Sequence, residues 1–347
     1  MLQNQPCMPD DDDGQTIKQG AFSARIHALL DDAAAHYRAM LRTCPEARRY
    51  LQGRGIGGAI AARFGLGYAR PAWHGLGDVL QDHDDDTVIA SGLVVKKNDQ
   101  GKGDGRHFDR FRGRVMFPIR DRAGMLAGFG GRILDGTLPK YLNSPEGPTF
   151  RKRELLYGLY VAEPAIRVAG LAVVVEGYLD VVSLAQAGFD ASVGTLGTAC
   201  TPEQLALMLA VTPNIVFCFD GDAAGRRAAV KALETILPLA TADRCFRFMF
   251  LPVNHDPDSF VRAHGVEAFR SMLNAAASLF DYLAELVTTG CELQYAEGRS
   301  RCSSLARPYW LALPDGAIKD ALRDSCAQIL QFSAEEVEMF WMAGVTF

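Results

Sequence analysis

The chain has 347 residues, 48% hydrophobic and 22% charged, with a formal net charge of −5, enough for two or three ordinary globular domains. No apolar run approaches the ~20 residues of a membrane span, and the acidic start (Asp10 to Asp13) is not a signal pattern, so no membrane partner is expected. The eight cysteines are scattered, with no Cys-x-x-Cys pair, which points to a reducing, cytoplasmic setting and away from a structural zinc site.

Residues 1–20 are polar and acidic, with Pro6, Pro9 and Gly14, and read as a disordered tail. From 21 to 42, Phe22, Ile26, Leu29, Leu30, Ala33, Tyr37, Met40 and Leu41 recur at helical spacing and predict a helix. The stretch to about 165 is rich in Gly and Arg with short strands, and reads as a basic mixed α/β subdomain (21–165). Asp84-Asp85-Asp86 reads as a surface loop. Arg114–Arg120 and Met125–Phe129, joined by Asp121-Arg-Ala-Gly124, read as a hairpin. Residues 96–153 hold 14 Lys or Arg against 6 Asp or Glu, a local balance of +8 inside an acidic chain. Phe108, Phe111, Phe117, Phe129, Tyr141 and Phe150 are interleaved with these cations. Cations for phosphates and ring faces for bases are the two ingredients of single-strand binding. Aromatics at strand spacing also build cores, so the charge reversal is the stronger signal. Arg112, Arg120 and Arg122 read as surface charges of the hairpin.

Residues 166–275 alternate strand and helix: strands at 171–175, 190–194, 214–219 and 245–251, helices at 178–187, 202–211 and 223–239. Thr201 is placed to cap the second of these helices, and Pro202 suits its first turn. This pattern predicts a parallel-sheet α/β domain. Residues 276–347 show helical periodicity alone (Leu279, Leu283, Leu286; Ala317, Leu322, Cys326, Leu330; Val337, Phe340, Trp341) and predict a helical bundle. The fold class is therefore α/β, or α+β over the whole chain.

Carboxylates follow three of the apolar runs. Glu176 follows 171–175, Asp220 and Asp222 follow 215–219, and Asp256 and Asp258 follow 246–251. In an open α/β sheet the ligand lies outside the carboxyl ends of the strands. Five carboxylates gathered there cannot all stay ionised without cations, and hard oxygen ligands suit Mg²⁺ or Mn²⁺. Asp220 and Asp222 are two apart, able to face one cation, with Gly221 permitting a tight turn. The alternative is that Asp222 only caps the following helix, and that Asp256-Pro-Asp258 is a turn capping a helix at 258–263. Asp180, one turn after Glu176, reads as an orienting residue, and His255 as a neighbour of the acids.

Glu176-Gly-Tyr-Leu-Asp180, Ser192–Thr198, Phe219–Arg226 and Asp256-Pro-Asp258 together resemble the TOPRIM domain. Upstream, Arg54-Gly-Ile56, Ala61–Tyr68, Asp109–Arg120, Gly128–Arg132, Pro139-Lys-Tyr-Leu-Asn-Ser-Pro145 and Tyr157–Tyr160 extend the likeness. Residues 35–275 as a whole resemble the polymerase core of the DnaG-type bacterial primase family. The resemblance implies synthesis of short RNA primers on single-stranded DNA from ribonucleoside triphosphates, with two or more Mg²⁺ or Mn²⁺ ions. It implies catalytic and metal-binding roles for Glu176, Asp220 and Asp222, a second metal cluster at Asp256 and Asp258, and a supporting role for Asp180. It assigns Arg54, Arg132, Lys140, Tyr141, Asn143 and Lys152 to template or triphosphate. The family's zinc ribbon and helicase-docking domain are expected to lie outside this chain, leaving a replicative helicase or a separate zinc-domain protein as a partner. A TOPRIM nuclease would not need the Lys140–Asn143 motif, and a paralogue that only binds single strands would tolerate degenerate acids. No P-loop string is present.

Overall fold

The computed structural model describes residues 12–81, 83–96, 107–197 and 199–344. The chain divides into two units, residues 1–53 with 61–152 and residues 54–60 with 153–347.

In the first unit, helix begins earlier than the apolar spacing predicts. Helix α1 runs Asp12–Thr43, so residues 12–20 are helical rather than tail, and the rest of the expected tail lies outside the described residues. Ile26, Leu29, Leu30, Ala33 and Tyr37 form its buried stripe, packed with Phe111, Met116, Leu126 and Phe129. Each such large side chain contributes about 1.5–3 kcal/mol by burial. Helices α2 (Pro45–Gly53) and α3 (Gly58–Arg63) follow, then strand β1 (Gly67–Ala69) and short helices α4 (Gly77–Leu80) and α5 (Asp85–Ala90). The acidic run expected as a loop starts α5 instead. Asp84 accepts from the Thr87 amide at 2.9 Å and its hydroxyl at 2.8 Å, an N-cap with two more acids in the first turn.

Strands β2 (Val94–Lys96) and β3 (His107–Asp109) pair antiparallel, while residues 97–106 of the basic segment lie outside the described residues. The predicted hairpin is present as β4 (Arg114–Arg120) and β5 (Leu126–Ile133). With β6 (Tyr141–Asn143) they form an antiparallel sheet in the order β1-β4-β5-β6. Phe111, Phe117, Phe129 and Phe150 are at most 3% exposed, so four of the six interleaved aromatics are core. Phe108 and Tyr141 stay partly exposed.

In the second unit, α6 (Leu159–Ala169) leads into β7 (Ala172–Val175), α7 (Tyr178–Gln186), β8 (Ser192–Gly194), α8 (Pro202–Leu209), β9 (Asn214–Phe219), α9 (Ala223–Ile236) and β10 (Cys245–Phe250). Next come α10 (Pro257–Asn274), β11 (Ala277–Ser278) and helices α11 (Leu279–Thr288), α12 (Ala296–Ala312), α13 (Ala317–Leu330) and α14 (Ala334–Ala343). Helix α10 far outruns the helix expected at 258–263, with a break at Gly265 (φ 81°). Helix α9 ends before the expected 239 in a 3-10 turn carrying Pro238, which has no amide to continue the ladder. The sheet order is β11-β10-β9-β7-β8, parallel except for the short edge strand β11, which the helical periodicity after 276 concealed. From β7 the chain steps out to β8, then returns to the other side of β7 as β9 and β10. That reversal puts a topological switch point between β7 and β9, where α/β sheets hold ligands. Among the described residues, no helix is long and apolar enough to cross a membrane.

Candidate active site

The switch point is lined with acid. Glu176 leaves β7, Asp220 and Asp222 leave β9, and Asp256 follows β10. Two glycines allow the Asp220–Asp222 turn. A Cβ on Gly221 would run into the Pro252 carbonyl, and one on Gly225 into the backbone of Asp220. The Gly221 amide donates to the His255 carbonyl at 3.0 Å, fixing the turn against the loop after β10. Asp222 and Asp256 both cap helices. Asp222 Oδ1 accepts from the Gly225 amide at 2.8 Å, and Asp256 Oδ1 from the Ser259 amide at 2.7 Å. The capping role weighed for both is thus real, and each carboxylate keeps a second oxygen beyond the one that caps.

Electrostatics single out Asp220. Burial, then the charges of Glu176, Asp256 and Asp222, push its carboxyl from 3.8 up to about 7. Glu176 is raised by burial and by Asp222, with a backbone hydrogen bond from Asp220 in partial offset. Burial would raise Asp256 too, but hydrogen bonds from Ser259 and the charge of Arg54 outweigh it and hold the group low. Among the described residues, Glu176 Oε1 and Asp220 Oδ1 are buried without a hydrogen-bond partner. An orphaned buried acceptor costs about 1–3 kcal/mol, more when charged, unless a ligand satisfies it. Repelling carboxylates with unmet oxygens fit a hard divalent cation. Among the described residues no three His, Cys, Asp or Glu side chains stand close enough to hold an ion as they are. The cluster is an acidic cradle rather than a closed cage.

Asp258, expected in the second metal cluster, is held by neighbouring side chains in this structure. It is 1% exposed, and Oδ1 accepts from Ser183 Oγ at 2.8 Å and Arg262 Nε at 2.9 Å. Its Oδ2 accepts from Arg54 Nη1 and, at 3.3 Å, from Arg262 Nη2. With both oxygens engaged, Asp258 ties residue 54 and helices α7 and α10 together and does not present itself to a cation. Arg54, expected on template or triphosphate, is that carboxylate's partner. Asp180, also buried, accepts from the Gly177 amide at 2.9 Å and the Asp258 amide at 3.3 Å, linking the residue after Glu176 to the first turn of α10. Burial and then Asp256 and Asp220 drive its carboxyl well up. His255 packs by its ring against Phe260 and His264.

The remaining expected residues lie in the first unit, on its sheet edge and the turn beyond. Arg132 and Tyr141 are cross-strand partners on β5 and β6. The Arg132 guanidinium donates to the Tyr141 hydroxyl and lies 5.0 Å from its ring and 5.6 Å from that of Tyr50. Lys140 is exposed, 6.0 Å from the Tyr141 ring, and the Asn143 carbonyl accepts from Arg110 Nε at 3.0 Å. Lys152 opens a 3-10 turn, its amide donating to Glu146 at 3.2 Å. Arg114 is buried and structural, holding the carbonyls of Gly131 and Pro139 at 3.1 and 2.9 Å. What the sequence did not reveal is Trp73, 59% exposed, with the Arg112 guanidinium 4.4 Å over its ring and 5.1 Å over that of Phe108. Trp73 and Arg112, with Arg110 and Leu142, line a cleft of about 420 Å³. Trp73 lies outside the basic window 96–153, and the Pro71-Ala-Trp73-His-Gly75 string was its only local signal.

Residues 36–163 match the family model "DNA primase catalytic core, N-terminal domain", and residues 173–261 match "Toprim-like". A crystal structure of a DNA primase domain from Pseudomonas aeruginosa is 41% identical, with a TM-score of 0.85 over 91% of this chain and 99% of that one. The chain belongs to the DnaG-type primase family. The DNA primase of Pseudomonas putida is 42% identical over 322 residues, 90% of this chain and 48% of that protein. The DNA primase of Escherichia coli K12 is 42% identical over 302 residues, 86% of this chain and 51% of that one. This primase-family chain thus spans about half the length of the curated relatives it matches. A structure of the DnaG primase catalytic domain bound to single-stranded DNA is 38% identical, with a TM-score of 0.83. Residues 280–335 match "DnaB-helicase binding domain of primase". That match corrects the expectation that the helicase-docking part of the family lies wholly outside this chain.

Proposed function

We propose that this chain is a primase catalytic core that joins ribonucleotides into short RNA on a single-stranded DNA template. The observation that carries this is the pair of unmet buried oxygens, Glu176 Oε1 and Asp220 Oδ1, at the switch point of a Toprim-like domain. The reaction class is nucleotidyl transfer: a 3′-hydroxyl attacks the α-phosphate of a triphosphate and pyrophosphate leaves. Bound Mg²⁺ or Mn²⁺ supplies charge neutralisation at the attacking and leaving oxygens. Glu176 and Asp220 would hold such ions through their unmet oxygens, and Asp222 and Asp256 through the oxygens that capping leaves over. Asp220 would give up its proton on holding an ion, because a raised carboxyl must ionise to bind metal. Asp180 and Asp258 hold the start of α7 and α10 so that these acids face one another.

In the first unit, Arg132, Lys140, Tyr141, Asn143 and Lys152 contact template or triphosphate, the cations neutralising phosphates without reading sequence. Trp73 and Phe108, packed edge to face with Arg112 over both, offer ring surface for unpaired bases, so the reading extends to residues beyond the motif. The relative whose structure is bound to single-stranded DNA supports the choice of template. The match over residues 280–335 supports docking of a replicative helicase on the C-terminal helices, and the setting is the cytoplasm. The test is primer synthesis on single-stranded DNA with labelled ribonucleotides and Mg²⁺ or Mn²⁺, run beside Asp220→Asn. Short RNA from the wild type alone is expected, and equal product from the variant would remove the acidic cluster from the mechanism.

A further inference from the structure

One feature of the second unit takes no part in this scheme. Helix α9 lays Ala224, Ala228 and Ala232 at i, i+4 and i+8 above the sheet, facing Val174 and Phe217, which are cross-strand partners on β7 and β9. Methyl groups there leave the layer between helix and sheet unfilled. The result is a cleft of about 450 Å³, within the range of small-molecule sites. Along it Ala232 is buried and Ala224 exposed, and Glu176 is part of the lining. Arg227 and Lys231 line it from the same helix, one position before Ala228 and Ala232. Like charges at i, i+4 repel by a few tenths of a kcal/mol. Among the described residues neither has an ion-pair partner, whereas the adjacent Arg226 lies 3.8 Å from the Phe250 ring and 3.9 Å from Glu285.

We propose that this cleft binds a small amphiphilic organic anion, a flat apolar body bearing one acidic head, and that its occupancy inhibits the acidic cluster next to it. The body lies between Phe217 and Ala228, and the head pairs with Arg227 and Lys231. Arg227 and Lys231 set the place of the head, and the apolar body extends from them across the approach to Glu176. The apolar walls disfavour a bare phosphate or metal ion, and the concave shape disfavours a polymer. The inhibitory half rests on the primase reading; the binding half does not.

The probe is 8-anilinonaphthalene-1-sulfonate, titrated calorimetrically into the full chain, with the uncharged N-phenyl-1-naphthylamine as control. One equivalent is expected to bind. Ala228→Phe, which fills the cleft, should weaken binding at least tenfold without lowering the melting temperature. Arg227→Ala with Lys231→Ala should weaken the sulfonate at least tenfold and leave the uncharged probe unchanged. Primer synthesis should fall as the wild type saturates and persist in Ala228→Phe. Undiminished sulfonate binding by either variant would overturn the site, and an active, saturated wild type would overturn the inhibition. Calorimetry decides the site whatever the activity, so a failure of the primase reading shows itself separately, as an inactive wild type.

Discussion

Two aspartates withdrawn from water to different degrees, one in each unit, show what separates scaffold from proposed site. Burial is the leading cause that raises both, Asp109 to about 6 and Asp220 to about 7. Around Asp109 every other influence opposes the rise: the amides of Leu76 (3.0 Å) and Gly75 donate to it, and His74 and Arg112 lie nearby. Around Asp220 every other influence adds to it, since Glu176, Asp256 and Asp222 are all acids and one of its oxygens has no partner. A buried carboxylate surrounded by donors ties a turn to a strand. One surrounded by carboxylates is incomplete until a cation arrives. Desolvation alone marks neither.

That contrast can be broken most sharply by activity. Asp220→Asn should cut primer synthesis by about 10³-fold, the several kcal/mol of charge stabilisation a metal supplies, whereas Asp109→Asn should leave the rate within a few fold at a temperature where it is folded. Comparable losses in both would erase the distinction. Stability should respond in the opposite sense. Asp109→Ala strands buried amides and should cost about 1–3 kcal/mol by urea unfolding, while Asp220→Asn relieves repulsion and should not destabilise the metal-free protein above neutral pH.

The pH dependence sharpens the same point. The folded pKa of Asp220 is raised, so the folded state keeps a proton that the unfolded chain has lost between about pH 4 and about 7. Its contribution to stability is full below the lower value and disappears as pH rises through about 7. In chelator, the melting temperature of the wild type should therefore fall relative to Asp220→Asn from pH 5 to 8. Added Mg²⁺ at pH 8 should restore the wild type and not the variant. A pH-independent difference, or equal rescue, would show that Asp220 is not where the ion binds.

In the first unit the expected effects are on binding. Trp73→Ala should weaken single-stranded DNA by about 1–3 kcal/mol, with the salt dependence unchanged, since stacking releases no counterions. Lys140→Ala should have the smallest effect, a modest loss with a salt slope shallower by about 1. A changed slope for Trp73→Ala, or an unchanged one for Lys140→Ala, would exchange their roles.

The difference between the units also governs how much could be read in advance. Parallel strands buried on both faces read as unbroken apolar runs, so β9 begins and ends where expected, and the acids after each strand could be counted from the chain. Lone-pair occupancy could not be counted. Asp256 and Asp258 look alike in sequence, yet one caps a helix with an oxygen to spare and the other is fully engaged by Ser183, Arg54 and Arg262. In the first unit the basic aromatic pattern mixed two populations that only burial separates. The core took Phe111, Phe117, Phe129 and Phe150, and the exposed ring that pairs with Arg112 came from outside the window. Edge strand β11 was hidden because two residues of extended backbone leave no periodicity to detect.

The double duty of Asp222 and Asp256 has one more implication. Each is held by the first free amides of its helix, so its orientation lasts only while that first turn stays wound. Fraying at the start of α9 or α10 would scatter the proposed ligands, and an ion bridging them would staple both turns shut. Hydrogen exchange at the Gly225 and Ser259 amides should then slow on metal addition, making two backbone protons a direct gauge of how often the acidic end of the sheet is assembled.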